Sequence, residues 1–149
     1  MPKSFFPIRE YVSAAGIGGA AYAFLEVLWR GYTHWSMILA GAVSAVLLYT
    51  IRERMTEAPL AVKCLLGAAG ITLVELAVGC VVNLWWGLDV WDYSDIPMNL
   101  WGQICPTFSA MWFFLCIPAF WLCGQIRTLC RRMDEAPQKQ TEQTGQPSV

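Results

Sequence analysis

The chain has 149 residues, of which 56% are hydrophobic and only 14% are charged, whereas a soluble domain carries roughly a quarter charged residues. The charged residues are confined to short stretches between long apolar runs, which is typical of an integral membrane protein surrounded by lipid. The formal net charge is −1 and there is no basic region, so we expect no nucleic-acid partner.

The first third of the chain predicts two membrane spans. Residues 1–10 contain basic and aromatic side chains and are expected to form a cytoplasmic lead-in. The first apolar run follows at about residues 11–29. A basic start before an apolar run also fits a signal peptide, but this run is long enough to span and further spans follow, so we predict a retained helix. The second span is predicted at about residues 35–51.

The remainder of the chain predicts two more spans. A charged turn over residues 52–59 ends at Pro59, a residue that suits the start of a helix. The third span is predicted at about residues 60–86. An acidic, aromatic loop follows over residues 87–97, and the fourth span is predicted at about residues 98–126.

These four spans predict an all-α polytopic membrane protein with one transmembrane domain at residues 11–132. Each span is close to the ~20 apolar residues that cross ~30 Å of hydrocarbon. The polar residues 133–149 are predicted to form a disordered cytoplasmic tail. Lysines and arginines concentrate near both termini and in the turn at residues 52–63. Because cytoplasmic segments carry the excess of basic residues, we expect a multi-pass protein of the cell membrane with both termini in the cytoplasm.

Several common catalytic and metal-binding motifs are missing from the sequence. There is no GxxxxGK[ST] motif, so the chain cannot be an ATPase by itself, and there is no HExxH or GxSxG motif. The chain has one histidine and its six cysteines form no CxxC pair, so we expect no metal site and no cofactor. These absences give no support for intrinsic catalytic activity, but small membrane enzymes can use buried acidic residues and one histidine, so the enzyme option stays open.

Two carboxylates, Glu26 and Glu75, lie inside predicted spans. A charged acid in a span costs roughly 2.5 kcal/mol or more, so such residues are seldom accidental. They could form a transport, proton or cation site, or they could hydrogen-bond another helix and fix the bundle. Arg30 lies one helical turn from Glu26 and favours a structural ion pair there, while Glu75 has no cation nearby in sequence.

The two halves of the chain resemble each other. Each has a helix with one acid, Glu26 or Glu75, then a tryptophan and an aromatic, serine-containing loop, and then a second uncharged helix. The first and third helices would run in the same direction. Parallel repeats are one known transporter plan, so two repeated helical hairpins are one hypothesis for the fold.

The loop before the fourth span has an aspartate at every third position among aromatic residues: Asp89, Asp92 and Asp95. These acids could collect a divalent cation or a cationic ligand. Alternatively, Asp95 caps the fourth helix and the aromatic residues form an interfacial belt. Both interpretations remain open at this point.

Asn99 and Gln103 lie four residues apart at the predicted outer end of the fourth helix. From there they could hydrogen-bond Asp92 or Glu75. Pro106 would then lie within the helix and could kink it, which a membrane bundle tolerates when neighbours satisfy the freed carbonyl groups.

The sequence from residue 75 to residue 112 resembles a known family of small integral membrane proteins. The matching segments are Glu75-Leu76-Ala77-Val78-Gly79, Trp91-Asp92-Tyr93-Ser94, Asn99-Leu100-Trp101-Gly102-Gln103-Ile104-Cys105, and Phe108-Ser109 with Trp112. The family is that of the ABC transporter type IV permeases, whose vertebrate relatives are described as transmembrane protein 229. Bacterial members show a Leu-Pro-Phe order where Pro106-Thr107-Phe108 stands here. The resemblance implies a transporter subunit, but it implies no particular substrate.

We therefore predict a permease-like membrane component in contact with the lipid bilayer. It would be a homo-oligomer or pair with another membrane subunit, and a separate cytoplasmic ATPase would dock at the turn of residues 52–59. The expected substrate or ion site consists of Glu75, Asp92, Asn99 and Gln103, supported by Glu26, Arg30, Trp91, Tyr93 and Ser94. Two alternatives remain: a scaffold or regulatory protein without transport activity, and a small lipid-modifying enzyme of the outer leaflet.

Overall fold

A computed structural model describes the backbone of residues 8–144 and the side chains of residues 8–133. The chain forms four α-helices: α1 (Ile8–Arg30), α2 (Trp35–Arg54), α3 (Leu60–Gly79) and α4 (Pro106–Thr144). A short π-helix, π1 (Cys80–Trp85), continues α3. The described residues contain no strand beyond one isolated bridge between Leu100 and Ile104.

All four helices are long and apolar enough to cross a membrane. Many large apolar side chains on their outer faces are exposed, as expected where lipid replaces water as the solvent. The prediction of an all-α polytopic membrane protein is confirmed. We name the two ends of the bundle after their connections: the loop end contains residues 31–34 and 86–105, and the turn end contains residues 55–59.

Close helix contacts depend on small residues between α1 and α2. A Cβ atom added to Gly18 would lie 2.1 Å from the Cβ of Ala45, and one added to Gly41 would lie 2.4 Å from the Cβ of Tyr22. Small residues let helix backbones approach in lipid, where dispersion contacts and hydrogen bonds drive association. By contrast, α1 and α4 pack on each other over a smaller area.

The main core lies between α2, α3 and α4 and includes four of the six cysteines: Cys64, Cys116, Cys123 and Cys130. All six cysteines are free thiols. Their burial among apolar side chains agrees with a packing role.

An ion-pair cluster closes the turn end of the bundle. Glu53 contacts Arg52 at 2.8 Å and Arg127 at 2.9 Å, which joins α2 to α4. Near it, the Tyr49 hydroxyl donates a hydrogen bond to the buried carboxylate of Glu10, near the start of α1.

The fourth helix begins at Pro106, so the predicted start at residue 98 is wrong. Residues 86–105 instead form an ordered loop in which Met98 and Trp101 have positive φ angles of 60° and 53°. Asp95 therefore does not cap a helix, and Pro106 lies at the first helical position, where a missing N–H group costs nothing.

The other helix boundaries differ from the prediction by smaller amounts, apart from the C-terminal segment. The lead-in prediction overlaps α1 from Ile8 onward, and its first seven residues lie outside the described part. Disorder is predicted from residue 133, whereas the backbone of α4 stays helical to Thr144. Residues 145–149 lie outside the described part, and the cytoplasmic location of this segment remains a prediction.

Candidate functional site

Glu75 lies deep in the bundle with both carboxylate oxygens hydrogen-bonded. It is about 22 Å along α3 from Leu60, at 1.5 Å per residue, and only 3% of its surface is exposed. The Tyr22 hydroxyl donates to Oε1 at 3.0 Å, and the indole Nε1 of Trp112 donates to Oε2 at 2.8 Å. These contacts join α3 to α1 and to α4.

Tyr22 and Trp112 also contact each other. Their rings stack with centroids 5.5 Å apart and planes 29° apart. We call Tyr22, Glu75 and Trp112 the Glu75 triad. The triad satisfies a polar group that would be costly to bury alone at this depth. A carboxylate with two donors can stabilise the helix packing, and it can also exchange these partners for a proton or a cation.

A cavity of about 250 Å³ lies against the triad on its loop-end side, between α1 and α4. We call it the outer cavity. Its lining is mostly aromatic, with one acid and one base: Tyr22, Leu25, Glu26, Trp29, Arg30, Trp91, Tyr93, Phe108, Met111, Trp112 and Leu115. The cavity thus combines apolar walls with a few polar groups, as small-molecule sites do.

The polar groups of the outer cavity form an ion pair. Arg30 Nη2 lies 2.9 Å from Glu26 Oε1 within the same helix, and the Thr33 hydroxyl donates to Glu26 Oε2 at 3.1 Å. Arg30 Nη1 donates to the carbonyl oxygen of Val90. The Nε atom of Arg30 is buried and has no hydrogen-bond partner among the described residues.

A second hollow of about 430 Å³ continues the outer cavity toward the turn end. We call it the inner hollow. It lies between α1, α2 and α4, and its lining is almost wholly apolar. The two spaces share the lining residues Tyr22, Leu25, Trp112 and Leu115. The stacked rings of Tyr22 and Trp112 therefore stand where the two spaces meet.

A buried amide pair fixes the loop onto π1. Asn83 Nδ2 donates to Gln103 Oε1 at 2.7 Å and to the Trp91 carbonyl at 3.0 Å, while Asn83 Oδ1 accepts from Val90 N at 2.7 Å. The indole of Trp91 donates to the Gln103 carbonyl at 3.0 Å. These bonds satisfy the buried side chains and hold Trp91 in the cavity wall.

Asp92 and Asn99 stabilise turns of the loop. Asp92 Oδ1 accepts hydrogen bonds from the Ser94 amide at 2.8 Å and the Ser94 hydroxyl at 2.6 Å. These bonds favour the ionised form and lower the pKa of Asp92. Asn99 donates to the carbonyls of Ser94 and Ile96 and accepts from the Gly102 amide. Side-chain bonds of this kind fix irregular backbone.

Tyr93 connects the loop to the cavity. Its ring stacks on Phe108 with centroids 4.5 Å apart, and its amide donates to the Gly102 carbonyl at 2.7 Å. Burial raises the pKa of the Tyr93 hydroxyl, and the neighbouring Glu75 carboxylate raises it further. The hydroxyl therefore stays protonated.

The structure brings together only part of the predicted site. Four predicted supporting residues, Glu26, Arg30, Trp91 and Tyr93, line the outer cavity. Asp92, Ser94, Asn99 and Gln103 take part in hydrogen bonds within the loop and with π1. Among the described residues no hydrogen bond links Glu75 to Asp92, Asn99 or Gln103. Asn99 and Gln103 also do not lie on a helix, and a substrate or ion role for these residues stays a prediction.

The sequence reasoning missed three polar partners: Tyr22, Asn83 and Trp112. Tyr22 lies four residues before Glu26, so both face the same side of α1, and this spacing was an available signal. The N–H group of Trp112 in mid-span also signals a buried acceptor, because tryptophan in a core normally finds one. Within the described residues, no three aspartate, glutamate, histidine or cysteine side chains lie close enough to hold a metal ion.

Comparison with known proteins identifies the family to which the chain belongs. No curated protein and no solved structure matches the chain. The family described as "Putative ABC-transporter type IV" matches residues 22–142. This region includes the Glu75 triad, the loop, α2, α3, nearly all of α4 and the last part of α1 from Tyr22 to Arg30. The match extends over most of the sequence, and the chain therefore belongs to this family.

Proposed function

We propose that this chain is a permease-like subunit of an ABC-type transport system, working with a separate ATPase. The observation that carries the proposal is the outer cavity, which places the Glu26–Arg30 ion pair against the Glu75 triad between α1 and α4. Acidic and basic groups inside a membrane are costly and typically mark a substrate or ion path. Membership of an ABC-transporter-type family supports the same interpretation.

The cavity opens at the seam between α1 and α4, where the described helices pack over a small area. Four helices enclose little volume by themselves. A transport path would therefore form where this seam faces another subunit, either a second copy or a different membrane chain.

The ATPase would bind at the turn end. The turn at residues 55–59 is braced by a backbone bond from Met55 N to the Ile51 carbonyl at 2.9 Å and by Lys63 Nζ, which donates to the Thr56 carbonyl at 3.2 Å. Arg54 and Glu57 are exposed beside it. A rigid turn with exposed charges of both signs is suited to contact a soluble partner.

The test is a pull-down of the full chain from membranes of its own host after mild cross-linking, with mass spectrometry of the captured proteins. We expect a protein with a GxxxxGK[ST] motif, and we expect Arg54→Glu to reduce its recovery several-fold. Asp95→Arg is the control, since Asp95 is exposed at the loop end, away from the turn, and also undergoes a charge reversal. If wild type and both variants recover no ATPase, the permease assignment is wrong.

A scaffold role is the second candidate, favoured by the full hydrogen bonding of Glu75. Glu75→Gln separates the scaffold role from the transport role. The glutamine amide has one acceptor oxygen for the two donors, Tyr22 and Trp112, so its own N–H group faces one of these donors, which then has no acceptor. An unsatisfied buried donor costs about 1–3 kcal/mol. Normal abundance with loss of complementation in a deletion strain would support a working site, whereas lost abundance would support a structural role. Glu26→Gln provides the comparison at the ion pair.

A further inference from the structure

The outer cavity and the inner hollow together form one groove along α1 and α4, which we call the seam groove. Along α1 its lining runs from Arg30 to Ala14, and along α4 it runs from Phe108 to Ile126. Because α1 and α4 are antiparallel, Arg30 and Phe108 lie at the same end of the groove, and Ala14 and Ile126 lie at the other end. Of the four spans, α1 has the smallest buried share, which leaves the groove open to lipid on its side.

The seam groove is polar at one end and apolar along the rest. The Glu26–Arg30 pair lies at the loop end, and the inner hollow is lined almost wholly by apolar atoms. From Leu25 to Ala14 the apolar part is about 16 Å long at 1.5 Å per residue. That is about half of the ~30 Å hydrocarbon thickness of a bilayer.

The shape of the inner hollow indicates what kind of group it can hold. The hollow has a volume of about 430 Å³ and a length of about 16 Å, so it is an elongated space. Its shape and its almost wholly apolar lining suit a single hydrocarbon chain, which is thinner than a helix about 10 Å across.

The polar end carries two opposite charges side by side. Arg30 has a buried Nε–H group with no partner among the described residues, and Glu26 lies next to it in the same lining. A phosphate oxygen can accept from the Arg30 guanidinium, whose side chain is 19% exposed. An ammonium group can pair with Glu26 and with the faces of Trp29 and Trp91.

We propose that the seam groove binds one zwitterionic phospholipid of the phosphoethanolamine class. Its phosphate accepts from Arg30, its ammonium group lies at Glu26, and one acyl chain fills the inner hollow while the other stays in the bilayer. An anionic head group lacks the ammonium and places an uncompensated negative charge beside Glu26. This inference rests on the proposed function in that it names the substrate class of the same site, but lipid binding itself needs no ATPase.

The test uses the purified full chain in nanodiscs with a trace of phosphatidylethanolamine carrying a diazirine in one acyl chain. After photolysis, we expect adducts concentrated on groove residues such as Leu115 and Leu122. The same photoreactive chain on phosphatidylglycerol should give at least threefold fewer adducts there. Labelling spread evenly over outward-facing residues such as Leu28 and Leu39, or equal labelling by both lipids, would overturn the proposal.

A matched pair of variants tests the apolar part. Ala21 lines the inner hollow and Ala20 does not, and both are exposed. Ala21→Phe should reduce groove labelling several-fold by filling the hollow, whereas Ala20→Phe should leave it unchanged. Equal labelling of Ala21→Phe and wild type would contradict chain binding in the hollow.

Two polar variants test the orientation of the lipid. Glu26→Gln should reduce the preference for phosphatidylethanolamine over phosphatidylglycerol. Glu57→Gln is the control: Glu57 is exposed at the turn end and lines neither space of the groove, so this preference should stay as in the wild type. An unchanged preference in Glu26→Gln would overturn the assignment of the ammonium group to Glu26. Recovery of an ATPase without groove labelling would refute this inference alone, whereas labelling without an ATPase would refute only the permease assignment.

Discussion

Glu75 is stabilised at bilayer depth by donors that come from two other helices. The Tyr22 hydroxyl and the Trp112 indole each satisfy one carboxylate oxygen. Both donors belong to aromatic rings that are themselves apolar, so the carboxylate is surrounded without bringing further charge into the membrane. This arrangement explains how an acid with no cation nearby in sequence can be buried.

Removing one donor tests how much the triad stabilises the fold. Tyr22→Phe keeps the ring and removes one hydrogen bond to Glu75, so it should lower the free energy of unfolding by about 1 kcal/mol, the usual size of a hydrogen bond in proteins and membrane bundles. Trp112→Phe removes the other hydrogen bond and also part of a buried ring, so it should cost more than Tyr22→Phe. Thermal unfolding in detergent measures the change.

Trp121→Phe is the control for this pair, because Trp121 lies on the same helix with 66% of its surface exposed. It should unfold like the wild type. If Trp112→Phe and Trp121→Phe have the same effect, then the bond to Glu75 contributes nothing measurable to stability.

Two aspartates of the loop, Asp92 and Asp95, differ in their hydrogen bonds, so replacing each in turn shows what one carboxylate contributes to the order of the loop. Asp92 accepts two hydrogen bonds from Ser94, whereas Asp95 is exposed. Asp92→Ala should increase hydrogen exchange at residues 93–102, and Asp95→Ala should not.

The pH dependence of the loop follows from the lowered pKa of Asp92. The folded value lies below the unfolded one, so this contribution is present above the ordinary aspartate pKa and is lost as the pH falls through the lowered value. The protection of residues 93–102, which is their exchange corrected for the intrinsic pH dependence of amide exchange, should therefore fall in acid for the wild type and change less for Asp92→Ala. If the loop exchanges equally fast in the wild type and in Asp92→Ala at neutral pH, then the hydrogen bonds of Asp92 are not needed to hold the loop.

At the scale of elements, the segment before α4 shows where sequence reasoning reaches its limit. Asn99 and Gln103 have helical spacing, and apolar residues surround them, so the pattern favoured a helix from residue 98. In the structure Asn99 bonds the backbone of its own turn and Gln103 pairs with Asn83. Asparagine can exchange helical bonds for local ones, but a pattern of residue types does not show when it does.

Gly79 lies where α3 continues into π1 and contacts the loop directly. A Cβ atom at this position would lie 2.4 Å from Gln103 Oε1 and 2.9 Å from the Trp91 ring. Gly79→Ala should therefore displace the buried amide pair and destabilise the protein by about 1–3 kcal/mol. Unfolding midpoints in detergent, together with quenching of the tryptophan fluorescence, measure the effect.

Gly16→Ala is the matched control, since nothing lies within 4 Å of a Cβ atom added to this helical glycine. It should be neutral or stabilising by up to about 1 kcal/mol, because alanine favours helix over glycine. Equal destabilisation by both substitutions would mean that the loop is not held against Gly79.

Long apolar runs and separated charges were enough to predict four spans and the all-α class, because hydrocarbon allows few alternatives to helices. The Glu26–Arg30 pair was also predictable, because residues four apart meet on a helix. The partners of Glu75 were not, since they lie 37 and 53 residues away in sequence. Such contacts depend on which helices are neighbours, and periodicity within one segment does not contain that information.

At the scale of the whole molecule, α4 extends well beyond the membrane. Its 39 residues span about 58 Å at 1.5 Å per residue, nearly twice the ~30 Å of hydrocarbon. The helix starts at the loop end, so its C-terminal part projects past the turn end. A projecting helix beside the turn at residues 55–59 would enlarge the surface on which a soluble partner can dock.

The distribution of charge predicts which end faces the cytoplasm. Basic residues are concentrated at the turn end: Arg9, Arg52, Arg54, Lys63, Arg127, Arg131 and Arg132. At the loop end, Arg30 is paired with Glu26 at 2.9 Å, so it adds no net positive charge to that side. Excess positive charge stays in the cytoplasm during insertion, and the turn end should therefore be cytoplasmic.

Reporter fusions test this orientation. A fluorescent protein fused after residue 149 should fluoresce. Alkaline phosphatase inserted in the loop at residue 96 should be active, because that enzyme needs the oxidising exterior to form its disulfides. Alkaline phosphatase inserted at residue 56 is the control and should be inactive. The opposite result at all three positions would place the outer cavity and the Glu26–Arg30 pair at the cytoplasmic face, where a lipid bound in the seam groove would come from the inner leaflet.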